Sequence, residues 1–417
     1  ATSSGSATSS GSATSSGSAT GAASGSRAVL VWIHGGCFVS GSASNPQYNG
    51  AALAAAHDVA VVSVQYRLGV FGWLADESLR SRDPGGSTGN YGLMDNVAAL
   101  KWLYANLASF GGDASRVTIF GESSGAGSVS QLLGVPAVWP YFHQAIMESG
   151  SASFWTYIPL DAATASFDKV REATACGGSG KSAAAKLKCL LAAASATISS
   201  AVSAVPCRDA CTWAPVVDGV YVRARPLELA AAGELRPSTR TIQGFNLNDG
   251  AMFVSGYPLS AGTMSAKTLA AYFGDRFGEE RRATLEALWP PPAAFPSASW
   301  VSRYFYPAQA CETDFSYACT AQWYSSAIAA SGAGAYVYQF SEPTSLGGLV
   351  LHGDEIGYVF GTLTSPSAQQ AAVSKDMMAY WANFAKSGDP NSGAHGGAAA
   401  RRRDSGAHGG AGGGAGG

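Results

Sequence analysis

The chain has 417 residues, of which 47% are hydrophobic and 11% aromatic, enough apolar material for one large core. Charged residues make up only 13% and the formal net charge is −2, so no basic face for nucleic acid is expected. No apolar run reaches the roughly 20 residues that a membrane-spanning helix needs.

Residues 1–26 repeat Ala-Thr-Ser-Ser-Gly-Ser at positions 1, 7 and 13 and read as a flexible tail. The chain does not begin with Met and shows no signal-peptide pattern, as expected of a processed form or a fragment. Order begins with the apolar run 28–33, a strand buried on both faces, which ends in His34-Gly-Gly-Cys-Phe38. A short helix over 51–57 and a second buried strand over 59–64 follow. A helix is predicted over 90–110, with Leu93, Val97, Leu100, Tyr104 and Leu107 as its apolar stripe.

Val-Thr-Ile-Phe-Gly-Glu-Ser-Ser-Gly at 117–125 is the stretch with the most chemistry in it. A buried strand runs into G-x-S-x-G, and a helix of small residues extends to about Leu133. Small residues on both sides of Ser123 permit a sharp strand-to-helix corner that exposes one hydroxyl at a helix N-terminus. Beyond it, strands are predicted over 144–147, 239–243 and 335–340. Ala-rich helices fill 161–235, broken at Pro206 and at 215–219, and further helices fill 263–330, broken at 290–292. A last helix covers 376–386, and residues 393–417 form a Gly/Ala/Arg tail. Strands alternating with helices imply an α/β fold over 27–392, a mostly parallel central sheet flanked by helices, with sites beyond the carboxyl ends of the strands.

A serine hydroxyl needs a base, and the base needs an orienting acid. Of the histidines at 34, 57, 143, 352, 395 and 408, His352 stands in Leu-His-Gly-Asp-Glu after the last strand and is the candidate base. Asp249, in the Asn-Asp-Gly after the strand at 239–243, reads equally well as the triad acid or as a turn residue. The backbone at Gly35, Gly36, Cys37 and Ser124 could supply oxyanion donors.

Seven cysteines lie at 37, 176, 189, 207, 211, 311 and 319, without a C-x-x-C zinc pattern. Six fall into sequence-local pairs, 176 with 189, 207 with 211 and 311 with 319. Such pairs favour disulfides and an oxidising compartment. Cys37 is left over as a free thiol, and neither a metal nor a cofactor is implied.

These segments resemble the type-B carboxylesterases, the cholinesterase-like α/β-hydrolases, from Ala28 to about Asn391. The resemblance is carried by Val-Trp-Ile-His-Gly-Gly-Cys-Phe at 31–38, Tyr-Arg-Leu-Gly-x-Phe-Gly at 66–72 and Gly-Asn-Tyr-Gly-Leu-Met-Asp at 89–95. Phe-Gly-Gly-Asp at 110–113 leads to the nucleophile signature through Gly125, and Pro-Val-Val-Asp-Gly at 215–219 and Gly-Asp-Pro-Asn at 388–391 also match. The resemblance implies Ser123 as nucleophile, His352 as base and Asp249 as acid, where the family usually has glutamate. It implies N–H donors at Gly36, Cys37 and Ser124, Glu122 as the acidic neighbour of the nucleophile, Ser149 as a supporting serine, and a disulfide between Cys176 and Cys189. Ser/Gly/Thr repeats stand where the family has N-terminal strands, so a sheet lacking those strands is expected, and the segment after His352 is short. The expected function is hydrolysis of small carboxylic esters through an acyl-enzyme, in a secreted or endomembrane-lumenal protein. The alternatives are a lipase of the same family, an inactive cholinesterase-like adhesion module and a truncated product that does not fold.

Overall fold

A computed structural model describes residues 26–393 except 179, 181, 206–211, 294–300 and 344–347. The first strand, β1 (Arg27–Ile33), is central. Val29, Leu30, Val31, Trp32 and Ile33 are each buried to 1% exposure or less, as a continuous apolar run requires when both sheet faces are covered. Helix α1 (Ala51–His57) leads to β2 (Ala60–Val64). Helix α2 (Tyr91–Asn106) is followed by β3 (Gly112–Glu122), α3 (Ser124–Leu133) and β4 (Gln144–Glu148). Strand β5 (Arg240–Asn246) comes next, then α4 (Ala266–Phe277), α5 (Phe305–Thr313), α6 (Cys319–Ala330), β6 (Ala335–Phe340) and α7 (Ala368–Ser387).

The six strands order as β2-β1-β3-β4-β5-β6 and every neighbouring pair is parallel. Parallel strands put all their carboxyl ends on one side, so the loops after β1, β3, β5 and β6 meet there. One face of the sheet packs on α7. There Trp32 lies 4.8 Å from Phe120 and 5.0 Å from Phe360, ring centre to ring centre. Fully burying side chains of this size stabilises by roughly 1.5–3 kcal/mol each. The opposite face packs on α2 and α3, and all ten residues of α3 are buried.

Two details differ from the sequence reading. The stripe of α2 uses Leu103 instead of Tyr104. Leu103 is buried, while Tyr104 is 47% exposed and its ring meets Tyr141 edge-on at 5.3 Å. Positions 103 and 104 flank the ideal helical angle after Leu100, and the smaller aliphatic chain takes the core side. Helix α7 starts at Ala368, eight residues before 376, because Ser367 and Gln370 form a capping box.

Candidate active site

Ser123 sits at the corner between β3 and α3 with φ 57° and ψ −125°, a conformation disfavoured for any residue bearing a Cβ. The corner is held from both sides: Ser123 N–H donates to Glu148 O at 2.9 Å, and Ser123 O accepts from Gly127 N–H at 3.0 Å. The flanking glycines make it possible. A Cβ on Gly125 would lie 1.9 Å from Ile33 O, so only glycine lets α3 cross β1 this closely.

His352 follows β6, and Asp249 lies three residues beyond β5. The imidazole Nδ1 is 2.6 Å from Asp249 Oδ1, and the other carboxylate oxygen accepts the Asn246 N–H at 2.8 Å. Asp249 is fully buried, so its side chain is held in one orientation. In the neutral imidazole that pairing implies that Nδ1 carries the proton, which leaves Nε2 as the basic nitrogen. Nε2 lies 3.1 Å from Glu122 Oε1. Ser123 Oγ makes no hydrogen bond among the described residues. Contacts of this kind are often long without substrate and tighten on binding. Phe253 and Tyr317 each place a ring centre 5.1 Å from the imidazole and shield it from water.

Burial by itself would lower the pKa of His352, but the Glu122 and Asp249 carboxylates and the hydrogen bond to Asp249 outweigh it and push it up to about 9. Burial pushes the Glu122 carboxyl up to about 7, against the pull of His352 and with the push of Asp249. Two further buried acids lie behind them. Burial, together with Glu122 and Asp249, raises Glu355 to about 8, and burial with Glu355 raises Glu148 well above its ordinary value. Glu355 accepts from Asn246 Nδ2, and Glu148 accepts from Trp381 Nε1 at 2.8 Å. Sequence reasoning missed Glu148 as a buried acid; its only signal was a glutamate closing an apolar strand. Ser149 is fully buried beside it, with φ 50° and its N–H on Gly244 O at 2.9 Å. His34 is buried and stacked on Tyr66 at 4.6 Å, with Nδ1 against Gly35 O, away from Ser123.

Gly35 runs against the corner: a Cβ there would lie 3.0 Å from Ser123 Cβ. Gly36, Cys37 and Phe38 then turn through φ 114°, 53° and 60°. Ser124 opens α3, where the first N–H groups have no intrahelical acceptor. Cys37 and Ser123 line one cavity of about 690 Å³, walled near them by Phe154, Trp155, Phe253 and Tyr317. Among the described residues no group of three or more His, Cys, Asp and Glu is arranged to hold a metal ion.

The cysteines correct the sequence reading in two places. Cys37 is disulfide-bonded, not a free thiol. Cys311 and Cys319 are free, not paired. They stand eight residues apart on one helical run, a rise of about 12 Å, far beyond the span of a disulfide. Burial pushes the Cys311 thiol up to about 12, so it is inert as a nucleophile. Cys176 and Cys189 are bonded, and Cys207 and Cys211 lie outside the described residues.

A parallel sheet with a serine on the elbow after β3, an acid after β5 and a histidine after β6 is the α/β-hydrolase arrangement. The solved structure of a PNB esterase shares it, with a TM-score of 0.71 and 28% identity, over 88% of this chain and 74% of that one. The sequence profile described as Carboxylesterase family matches residues 17–404. Rat carboxylesterase 1C is 33% identical over 388 residues, 87% of this chain and 66% of its own length. Fumonisin B1 esterase of Sphingopyxis macrogoltabida is 31% identical over 387 residues, 88% of this chain and 66% of its own length. The chain belongs to the carboxylesterase family, and it spans just under two thirds of the length of these two relatives.

Proposed function

We propose that the chain is a serine hydrolase of small carboxylic esters, working through an acyl-enzyme. The observation that carries this reading is the 2.6 Å contact between Asp249 and His352 Nδ1, which leaves Nε2 as the nitrogen free to act as base. Ester enters the aromatic-walled cavity with its carbonyl over Ser123. Neutral His352 takes the Ser123 proton at Nε2 as Oγ attacks the carbonyl carbon. The negative charge that develops on the carbonyl oxygen is met by the N–H groups of Gly36, Cys37 and Ser124. His352 returns the proton to the leaving alcohol. Water, deprotonated by the same imidazole, then releases the acid. Asp249 holds the tautomer and stabilises the transient imidazolium. Family membership supports the ester chemistry, and the Cys176–Cys189 disulfide fits a secreted or lumenal protein.

Fluorophosphonate labelling with peptide mapping tests the assignment. The label is expected on Ser123, and Ser123→Ala should lose both labelling and turnover of p-nitrophenyl butyrate. Turnover by that variant at the parent rate refutes the triad.

A further inference from the structure

A second cavity, of about 160 Å³, lies where β5 and β6 begin, at the opposite end of the sheet from Ser123. Helix α3, helix α6 and the short helix Pro226–Ala231 place Leu133, Ile328 and Ala230 on it from their last turns. Those three are buried and, with Leu235, supply an apolar lining. Arg236, Thr239 and Thr241 supply a polar one.

Arg236 is fixed in place without a counter-ion. Its Nε donates to Trp139 O at 2.9 Å, one terminal nitrogen donates to Thr239 Oγ1 at 3.0 Å, and the guanidinium lies 5.2 Å from the centre of the Phe142 ring. Every acceptor it meets among the described residues is uncharged. The nearest acid in sequence, Glu234, is paired with Arg223 at 2.7 Å instead. Burial accordingly lowers the Arg236 pKa with no anion to oppose it, and the same charge, after burial, helps to lower that of His143. The carboxyl ends of the three helices carry partial negative charge, which favours a cation here but does not neutralise it. Thr241 is the second observation. It is fully buried, and its Oγ1 has no hydrogen-bond partner among the described residues. A buried hydroxyl left unpaired is costly, and valine would fill the same space without that cost.

We propose that this cavity binds a short-chain monocarboxylate: its carboxylate takes the remaining donors of Arg236 and the Thr241 hydroxyl, and its alkyl chain lies on Leu133, Leu235 and Ile328. A guanidinium held rigidly suits a planar carboxylate, because its N–H groups match the spacing of the two oxygens. Phosphate and sulfate match the charge but leave the apolar lining unused. The site needs nothing from Ser123, so it stands or falls apart from the esterase reading.

The experiment melts the full chain in sodium butyrate, with sodium chloride at equal ionic strength as reference, and follows trifluorobutyrate by fluorine NMR line broadening. Butyrate is expected to raise Tm above the chloride reference by mass action, with millimolar affinity. Its neutral isostere butyramide, phosphate and sulfate should each bind more weakly. Arg236→Gln should weaken butyrate about tenfold or more, as loss of a charge-assisted hydrogen bond does. Thr241→Val keeps the shape, removes only the hydroxyl, and should weaken it roughly three- to tenfold. Ala327→Leu fills part of the cavity, leaves the Arg236 bonds in place, and should abolish binding while Tm in chloride is kept. If Arg236→Gln does not fold, the other two variants carry the test. A parent that does not bind butyrate overturns the proposal, as does butyramide or phosphate binding as tightly as butyrate. So does butyrate binding that survives both Thr241→Val and Ala327→Leu, which would place the ligand elsewhere, in the cavity at Ser123 for example.

Discussion

Replacing Glu122 by glutamine should move the acid limb of the activity profile to lower pH. The base must be neutral to take the Ser123 proton, so kcat/KM rises as pH passes the pKa of His352, which the carboxylates push up to about 9. Glu122 Oε1 lies 3.1 Å from Nε2, and two full charges at that distance in an effective dielectric near 20 attract by about 5 kcal/mol. That is an upper bound. Burial opposes the charged form of both groups, and Asp249 remains beside the imidazole in the variant. A third of the bound is about one pKa unit. The sign follows from the direction of the shift: removing an anion makes the imidazolium less stable, so the neutral base appears at lower pH. The assay is kcat/KM for p-nitrophenyl acetate from pH 5 to 10 at fixed ionic strength. Only the position of the limb is read, so a lower plateau does not interfere. A limb that stays in place or moves to higher pH would refute the electrostatic account of this site.

Asp249→Asn should lower kcat by about four orders of magnitude, because the amide favours the wrong imidazole tautomer. A loss below about tenfold would hand the orienting role to Asp354 or Glu355, although Asp354 already accepts the Leu351 N–H and Glu355 faces Asn246. Glu355→Gln tests the buried acids through stability. The folded carboxyl titrates near 8 against an ordinary 4.5, so the stability it contributes in its neutral form is complete at low pH and is lost as pH climbs through about 8. The glutamine is neutral throughout and can still accept from Asn246 Nδ2. Its Tm advantage over the parent should therefore widen from pH 5 to pH 9, and a constant difference would falsify the assignment.

The parts of the molecule written in local sequence were legible. The run at 28–33 could only be a strand covered on both faces, and Gly121 and Gly125 around Ser123 announced a corner because no other residue lets α3 cross β1 so closely. His352 was singled out by its place after the last strand, which matters because a parallel sheet gathers its carboxyl ends on one side. Asp249 was less readable. Asn-Asp-Gly is equally a turn, and only the extension of β5 to Asn246, three residues past the expected end, puts that carboxylate at His352.

The cysteines mark where local reading stops. Sequence proximity suggested pairing Cys311 with Cys319, yet a helix carries two residues eight apart out of each other's reach. The same logic set Cys37 aside as the odd thiol, yet it is disulfide-bonded. Pairing is a property of the folded surface, and the buried acids behave alike. Glu122, Glu148 and Glu355 lie far apart in sequence, and Glu122 raises the pKa of the other two, and Glu355 that of Glu148, only because β3, β4 and the loop after β6 end side by side. What the residues could do was therefore readable one motif at a time. How strongly they do it depends on distances that only the sheet order fixes, and for that reason the sharpest tests of this site are pH profiles, which report those distances.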